Sequence, residues 1–154
     1  MDKIRIFRKS LLKAKSLRYL DWATVTVFIY LVWWHYQHIP LKVMIAFTIF
    51  WMFCYIFNCI LYCWYIVVAD DKLMLRNLLV PMWQKEYFYR DIVKVILKYP
   101  GLIAVHNIQV IMREKKSLRY MIDLVAPEDY QEIVDTLRAK GIEVEAINLE
   151  KWVK

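Results

Sequence analysis

The stretch CWYIVVADDKLMLRNLLV, Cys63 to Val80, decides how the chain divides. It opens as the end of a long apolar run, crosses the acidic pair Asp70-Asp71, and finishes as an alternating segment that carries charge. A continuous apolar run suits hydrocarbon, whereas alternation at period two suits a strand with one face buried. The membrane is therefore expected to stop near Val68, with Lys72–Val80 as a strand of the next domain. Leu73 and Leu75 would lie on one of its faces and Met74 and Arg76 on the other.

Upstream of that boundary the composition calls for lipid. Hydrophobic residues make up 60% of the 154, with only 2 Gly, against about 45–50% in ordinary soluble domains. Two blocks supply the excess, Tyr19 to Ile39 and Val43 to Val68, and the second carries no charge. A span needs about 20 mostly apolar residues, so both blocks are long enough. Trp22 at one end and Trp33, Trp34 and Tyr36 at the other bracket the first block as interfacial aromatics. Pro40 then breaks the helix in a linker too short to do more than turn back. Residues 19–68 thus read as a two-helix transmembrane hairpin.

The net charge of +7 is unevenly distributed. Residues 1–21 hold seven Lys/Arg against Asp2 and Asp21, whereas residues 69–154 hold fourteen against thirteen acids. Basicity beside the first span fits the positive-inside rule and attraction to anionic lipid headgroups, not a nucleic acid duplex. Residues 1–18 are accordingly expected to be a basic cytoplasmic segment, retained because no small-x-small cleavage site follows the first apolar run. An even number of spans places both termini in the cytoplasm.

Within the second block Asn58 is the one strongly polar side chain, flanked at helical spacing by Trp51, Cys54, Tyr55, Tyr62 and Tyr65. An amide in hydrocarbon seeks an interhelical partner. That partner is Thr24 or Thr26 of the first helix, or another subunit. Asn58, Tyr55 and Tyr62 are the candidates for helix association. No charged relay or ring that would line a pore is visible. His35 and His38 form too small a set for a metal, and Cys54, Cys59 and Cys63 include no C-x-x-C pair, so no metal site or cofactor is expected.

Residues 69–154 read as a small β-rich cytoplasmic domain. Trp83–Arg90 pairs with the strand before Pro81, DIVKVILKYPG supplies another, and a further one runs from Leu102 toward Asn107. Ile108–Arg113 and Leu118–Val125 alternate around EKKS as a hairpin, with Ile108, Val110, Met112, Leu118, Tyr120, Ile122 and Leu124 inward. Pro127 with Glu128 and Asp129 starts a helix whose Tyr130, Ile133, Val134 and Leu137 share a face, and Gly141 stops it. The tail IEVEAINLEKWV offers a last edge strand.

The order of strands and then one helix, with YIVVADDKLMLRN, YFYRDIVKV and PEDYQEIVDTLRAKGI, resembles the bacterial pleckstrin-homology-like (PH-like) domains attached to small membrane proteins. The resemblance covers roughly residues 64–146. It implies an α+β fold, a bent antiparallel sheet forming a partly open β-barrel capped by the C-terminal helix. Such folds serve as binding and oligomerisation modules, and the turn at Asp70-Asp71 lacks the basic loop that grips inositol phosphates.

Materials for catalysis are sparse. The β-rich part has Ser117 as its one serine, His106 as its one histidine and no cysteine after Cys63, and it lacks a glycine-rich phosphate loop. Binding remains. Lys85, Arg90, Lys94, Lys98, Arg113, Lys115, Lys116 and Arg119 are interleaved with Tyr87, Tyr89, Tyr99 and Tyr120. Arg90, Lys94, Arg113, Arg119 and Tyr89 are the candidates to hold a small phosphate-containing ligand. Two functions follow: a non-enzymatic inner-membrane protein displaying a PH-like binding and assembly module as a homo-oligomer, or an oligomeric antiphage membrane effector gated by a cyclic nucleotide-type ligand.

Overall fold

The computed structural model describes residues 4–10, 14–37, 40–100, 105–114, 116–151 and 153, with the side chains of 15–20 excepted. Two long helices come first: α1 (Lys15–His35) and α2 (Leu41–Tyr62). They run antiparallel side by side, Trp51 Nε1 donating to Thr24 Oγ1 at 3.3 Å and Tyr55 Oη donating to Asp21 Oδ1 at 2.6 Å. By length and composition α2 is apolar enough to cross a membrane. Among the described residues α1 is not, because Arg18 and Asp21 and its hydroxyl, indole and imidazole groups offset the aliphatic residues.

Among the described residues eight strands form two sheets. The first is an antiparallel meander of β1 (Arg5–Phe7), β2 (Trp64–Val68), β3 (Lys72–Asn77) and β4 (Gln84–Phe88). The second has the order β7-β6-β5-β8, from β5 (Ile92–Lys98), β6 (Asn107–Met112), β7 (Tyr120–Met121) and β8 (Glu143–Ile147). Helix α3 (Tyr130–Ala139) follows a 3-10 turn at Pro127–Asp129 and buries Tyr130, Ile133, Val134 and Leu137, as its spacing predicts. These four join the inward residues of both sheets, including Ile66, Leu73, Leu75, Val95, Leu97, Ile108 and Val110, in one core. Gly141 ends the helix with φ at 78°, the left-handed region that glycine enters freely.

Several expectations are corrected. The apolar run does not stay helical to Val68: the helix ends at Tyr62, and Trp64–Val68 is a buried strand paired with β3. Hydropathy does not separate the end of a span from a core strand, since both are continuously apolar. Cys63 accordingly caps the helix instead of lying within it. The basic leading segment is not simply a juxtamembrane tail, because Arg5–Phe7 pairs with β2 along the sheet edge. Leu118 is 76% exposed, and the strand placed at Leu118–Val125 shrinks to Tyr120–Met121, with bridges at Ile111↔Lys116 and Cys63↔Ile122. The edge strand in the tail exists but runs parallel to β5, because α3 carries the chain across before it re-enters the sheet. The strand placed from Leu102 toward Asn107 lies largely outside the described residues, and β6 starts at Asn107.

Nor do the sheets close into a barrel. Among the described residues the backbone links between them are the isolated pair Cys63↔Ile122 and the Lys9 N–H on the Leu124 carbonyl, which leaves β4 and β7 as neighbouring edges without a ladder. Side chains close part of that seam. Tyr87 on β4 and Tyr120 on β7, both buried, approach each other across it, and burial first, then the neighbouring Tyr120, drives the Tyr87 hydroxyl well above its ordinary pKa. Trp64 packs on Tyr120 with ring centroids 4.7 Å apart.

Candidate functional site

The join between α2 and the sheets positions the site. No linker intervenes, since Cys63 alone separates helix from strand. Asn77, at the end of β3 and only 2% exposed, ties the parts together. Its Nδ2 donates to the carbonyl of Ile60 at 2.6 Å, and its Oδ1 accepts from the backbone N–H groups of Leu79 and Val80 at 3.0 Å each. Leu78 N–H donates to the Cys63 carbonyl at 2.8 Å. Carbonyls that a helix end leaves unpaired are thus satisfied by the β3–β4 turn.

Beside this turn the open seam forms a groove of about 430 Å³. Leu61 from the last turn of α2 and Trp64 of β2 form one side, Met82–Lys85 a second, and Leu118–Met121 a third. Lys85 is notable by register. It lies opposite Leu75, two residues from buried Tyr87 opposite buried Leu73, so it occupies the inward-facing series of β4 yet is exposed. The sheet opens at that point, and a cation replaces the apolar residue that a closed barrel would need. Arg119 faces the same groove, and among the described residues no carboxylate lines it.

The five candidate ligand-binding residues are not drawn into this one place. Arg119 lines the groove; the other four do not. Lys94 lies 3.1 Å from Glu143 and 2.7 Å from Glu145 on β8, and the hydrogen bond to Glu145, then that to Glu143, raises its pKa. Arg90 is a solvated side chain over Phe88, its Nε 3.8 Å from Asp91. Arg113 is exposed at the end of β6 and its N–H donates to the Asp91 carbonyl at 3.3 Å, which brings it near Arg90. Tyr89 donates to the Ala69 carbonyl at 2.7 Å, and its pKa rises to about 12 through burial and then the carboxylates of Asp71 and Asp70. Ser117 is a turn residue, its Oγ accepting from Val110 N–H at 2.8 Å and donating to the Leu118 carbonyl at 2.9 Å.

In the helices the aromatic stripe meets α1 in part. Trp51 finds Thr24 and Tyr55 finds Asp21, whereas Asn58 Nδ2 donates to the Cys54 carbonyl of its own helix at 2.8 Å and Thr26 to that of Trp22 at 2.9 Å. Tyr62 is half-buried at the helix end. His38 lies outside the described residues.

Trp64, Met82 and Trp83 belong to the groove and had no sequence signal of a site. Trp64 is hidden in an apolar run, and the other two follow a proline with no periodicity. No family model, curated protein or solved structure matches the chain.

Proposed function

We propose that the chain is a non-enzymatic bacterial inner-membrane protein in which α1 and α2 cross the bilayer as a hairpin. The β domain, with the strand-then-helix order of a PH-like fold, is its cytoplasmic binding and assembly module. One observation carries the reading: β1 precedes α1, β2 follows α2, and the two are hydrogen-bonded neighbours. The chain therefore leaves and re-enters the same sheet, so the near ends of both helices share one side of any bilayer that α2 crosses. With 21 and 22 residues, each helix is long enough for hydrocarbon about 30 Å thick, and α1, too polar to qualify by composition alone, is held against the apolar α2 through Thr24 and Asp21. Polar groups on them are provided for, as Thr26, Thr48 and Asn58 bond carbonyls four residues back and Asp21 accepts from Tyr55. Assembly as a homo-oligomer belongs to the same proposal and is read by subunit number in native mass spectrometry.

Topology tests it directly. In a background with Cys54, Cys59 and Cys63 changed to Ala, Gln37→Cys should react with a membrane-impermeant maleimide in intact spheroplasts. Arg138→Cys should react only after permeabilisation. Reaction of Arg138→Cys in intact spheroplasts, or release of the chain by an alkaline wash, would overturn the anchored reading.

A further inference from the structure

We propose that the seam groove between β4 and β7 is a site for one anionic phospholipid, its phosphate held between Lys85 and Arg119 and its acyl chains directed toward α2. The proposal rests on the membrane-anchored reading.

The cations come first. Several basic groups of the β domain have acidic partners: Lys72 with Glu86, Arg90 with Asp91, Lys94 with Glu143 and Glu145, Lys140 with Asp70. Among the described residues Lys85 and Arg119 have no carboxylate within 4.0 Å, and they share a groove without one. Two unneutralised cations converging on one concavity suit a phosphate monoanion, with the guanidinium supplying directed donors and the ammonium a point charge.

The rest of the surface makes that anion a lipid. Met82 is 91% exposed and Leu118 76%, and Trp83 and Met121 beside them in the groove wall are exposed as well. Apolar side chains scattered singly are ordinary, but these gather around a single groove. They gather where α2 leaves the sheets, since Leu61 lines the groove and Asn77 bonds the Ile60 carbonyl. If α2 spans, the groove mouth sits at headgroup depth, where indoles and methionines meet acyl chains and Lys and Arg meet phosphate. A water-soluble nucleotide has no use for exposed Met82 and Leu118. An extended peptide would exploit the open edges of β4 and β7 but would not require the two cations.

The test is native mass spectrometry of the full chain released from detergent with added phosphatidylglycerol or phosphatidylcholine. Wild type should retain phosphatidylglycerol in preference. Lys85→Glu with Arg119→Glu should cut that retention at least about tenfold, on the scale of two lost cations at a lipid surface. Arg90→Glu with Arg113→Glu, which changes net charge equally, should leave it within about twofold of wild type. If the charge-reversed chain loses its circular dichroism spectrum, Lys85→Gln with Arg119→Gln gives the same comparison. Equal retention in the groove variant and wild type, or equal loss in both double variants, overturns the lipid site. Vesicle flotation of the same proteins separates the two readings: a chain that floats and resists alkaline wash without phosphatidylglycerol preference sinks only the lipid site, whereas one that fails to float sinks the anchor.

Discussion

Asn77 is a single side chain that holds three parts of the molecule in register: the end of α2, the end of β3 and the turn that leads to the groove. It resembles a surface turn residue in sequence, since RNLLVP has the composition of a loop entrance. Its burial comes from the helix end packed over it. Replacing Asn77 by Ala should cost about 2 kcal/mol, because the Ile60 carbonyl and the Leu79 and Val80 N–H groups lose partners in a poorly hydrated site. Denaturant unfolding in detergent checks this, and Asn77→Asp should fare little better, since a carboxylate repels the Ile60 carbonyl. Lys85 shows the converse: its type was legible as one cation among many, and only the register against Leu75 places it on the inner face.

Among the elements, α3 was the most legible. Its apolar positions recur at three and four, a proline and two acids precede it, and a glycine follows, so local propensity and tertiary burial agree. Gly141→Ala should destabilise the fold by about 1 kcal/mol through the positive φ alone, because a Cβ built there meets nothing within 4 Å. Thermal unfolding would show it, and a loss well above that would mean that the chain around the turn shifts. The strands were less legible. β2 is short and buried on both faces, so it reads as a continuation of α2, and β7 is pinned at two residues by its pairing with Asn107 and Ile108 where alternation suggests eight.

Across the whole molecule, the segment before α1 is a structural part of the β domain. Besides the β1 pairing, Arg5 lies 2.8 Å from Glu132 on α3, Arg8 sits over the Tyr65 ring, and Lys9 reaches Asp123 at 3.7 Å with its N–H on the Leu124 carbonyl at 2.7 Å. Lys9 and Asp123 are both largely buried, so the pair bridges to the second sheet away from solvent screening. Asp123→Ala should cost about 3 kcal/mol by leaving a poorly hydrated ammonium, while Lys9→Met with Asp123→Leu should recover most of it. Chemical denaturation of the three proteins measures the difference. A matching loss in the double variant would mean that the pair is replaceable by nothing apolar.

By itself the sequence determined the elements whose signal is local: an apolar helix of membrane length, an amphipathic helix with its caps, and alternating strands around a proline and acidic turns. It determined too where the charge lies. The tertiary structure alone decided which of those charges are used, since Arg5 and Lys9 are spent on distant carboxylates and Lys94 on β8, leaving Lys85 and Arg119 open in the seam. It also decided that the two sheets stay apart at β4 and β7 and that β8 runs parallel to β5. The reason is physical: periodicity reports the face a residue shows, whereas pairing, closure and neutralisation depend on residues far away in the chain that only folding brings near.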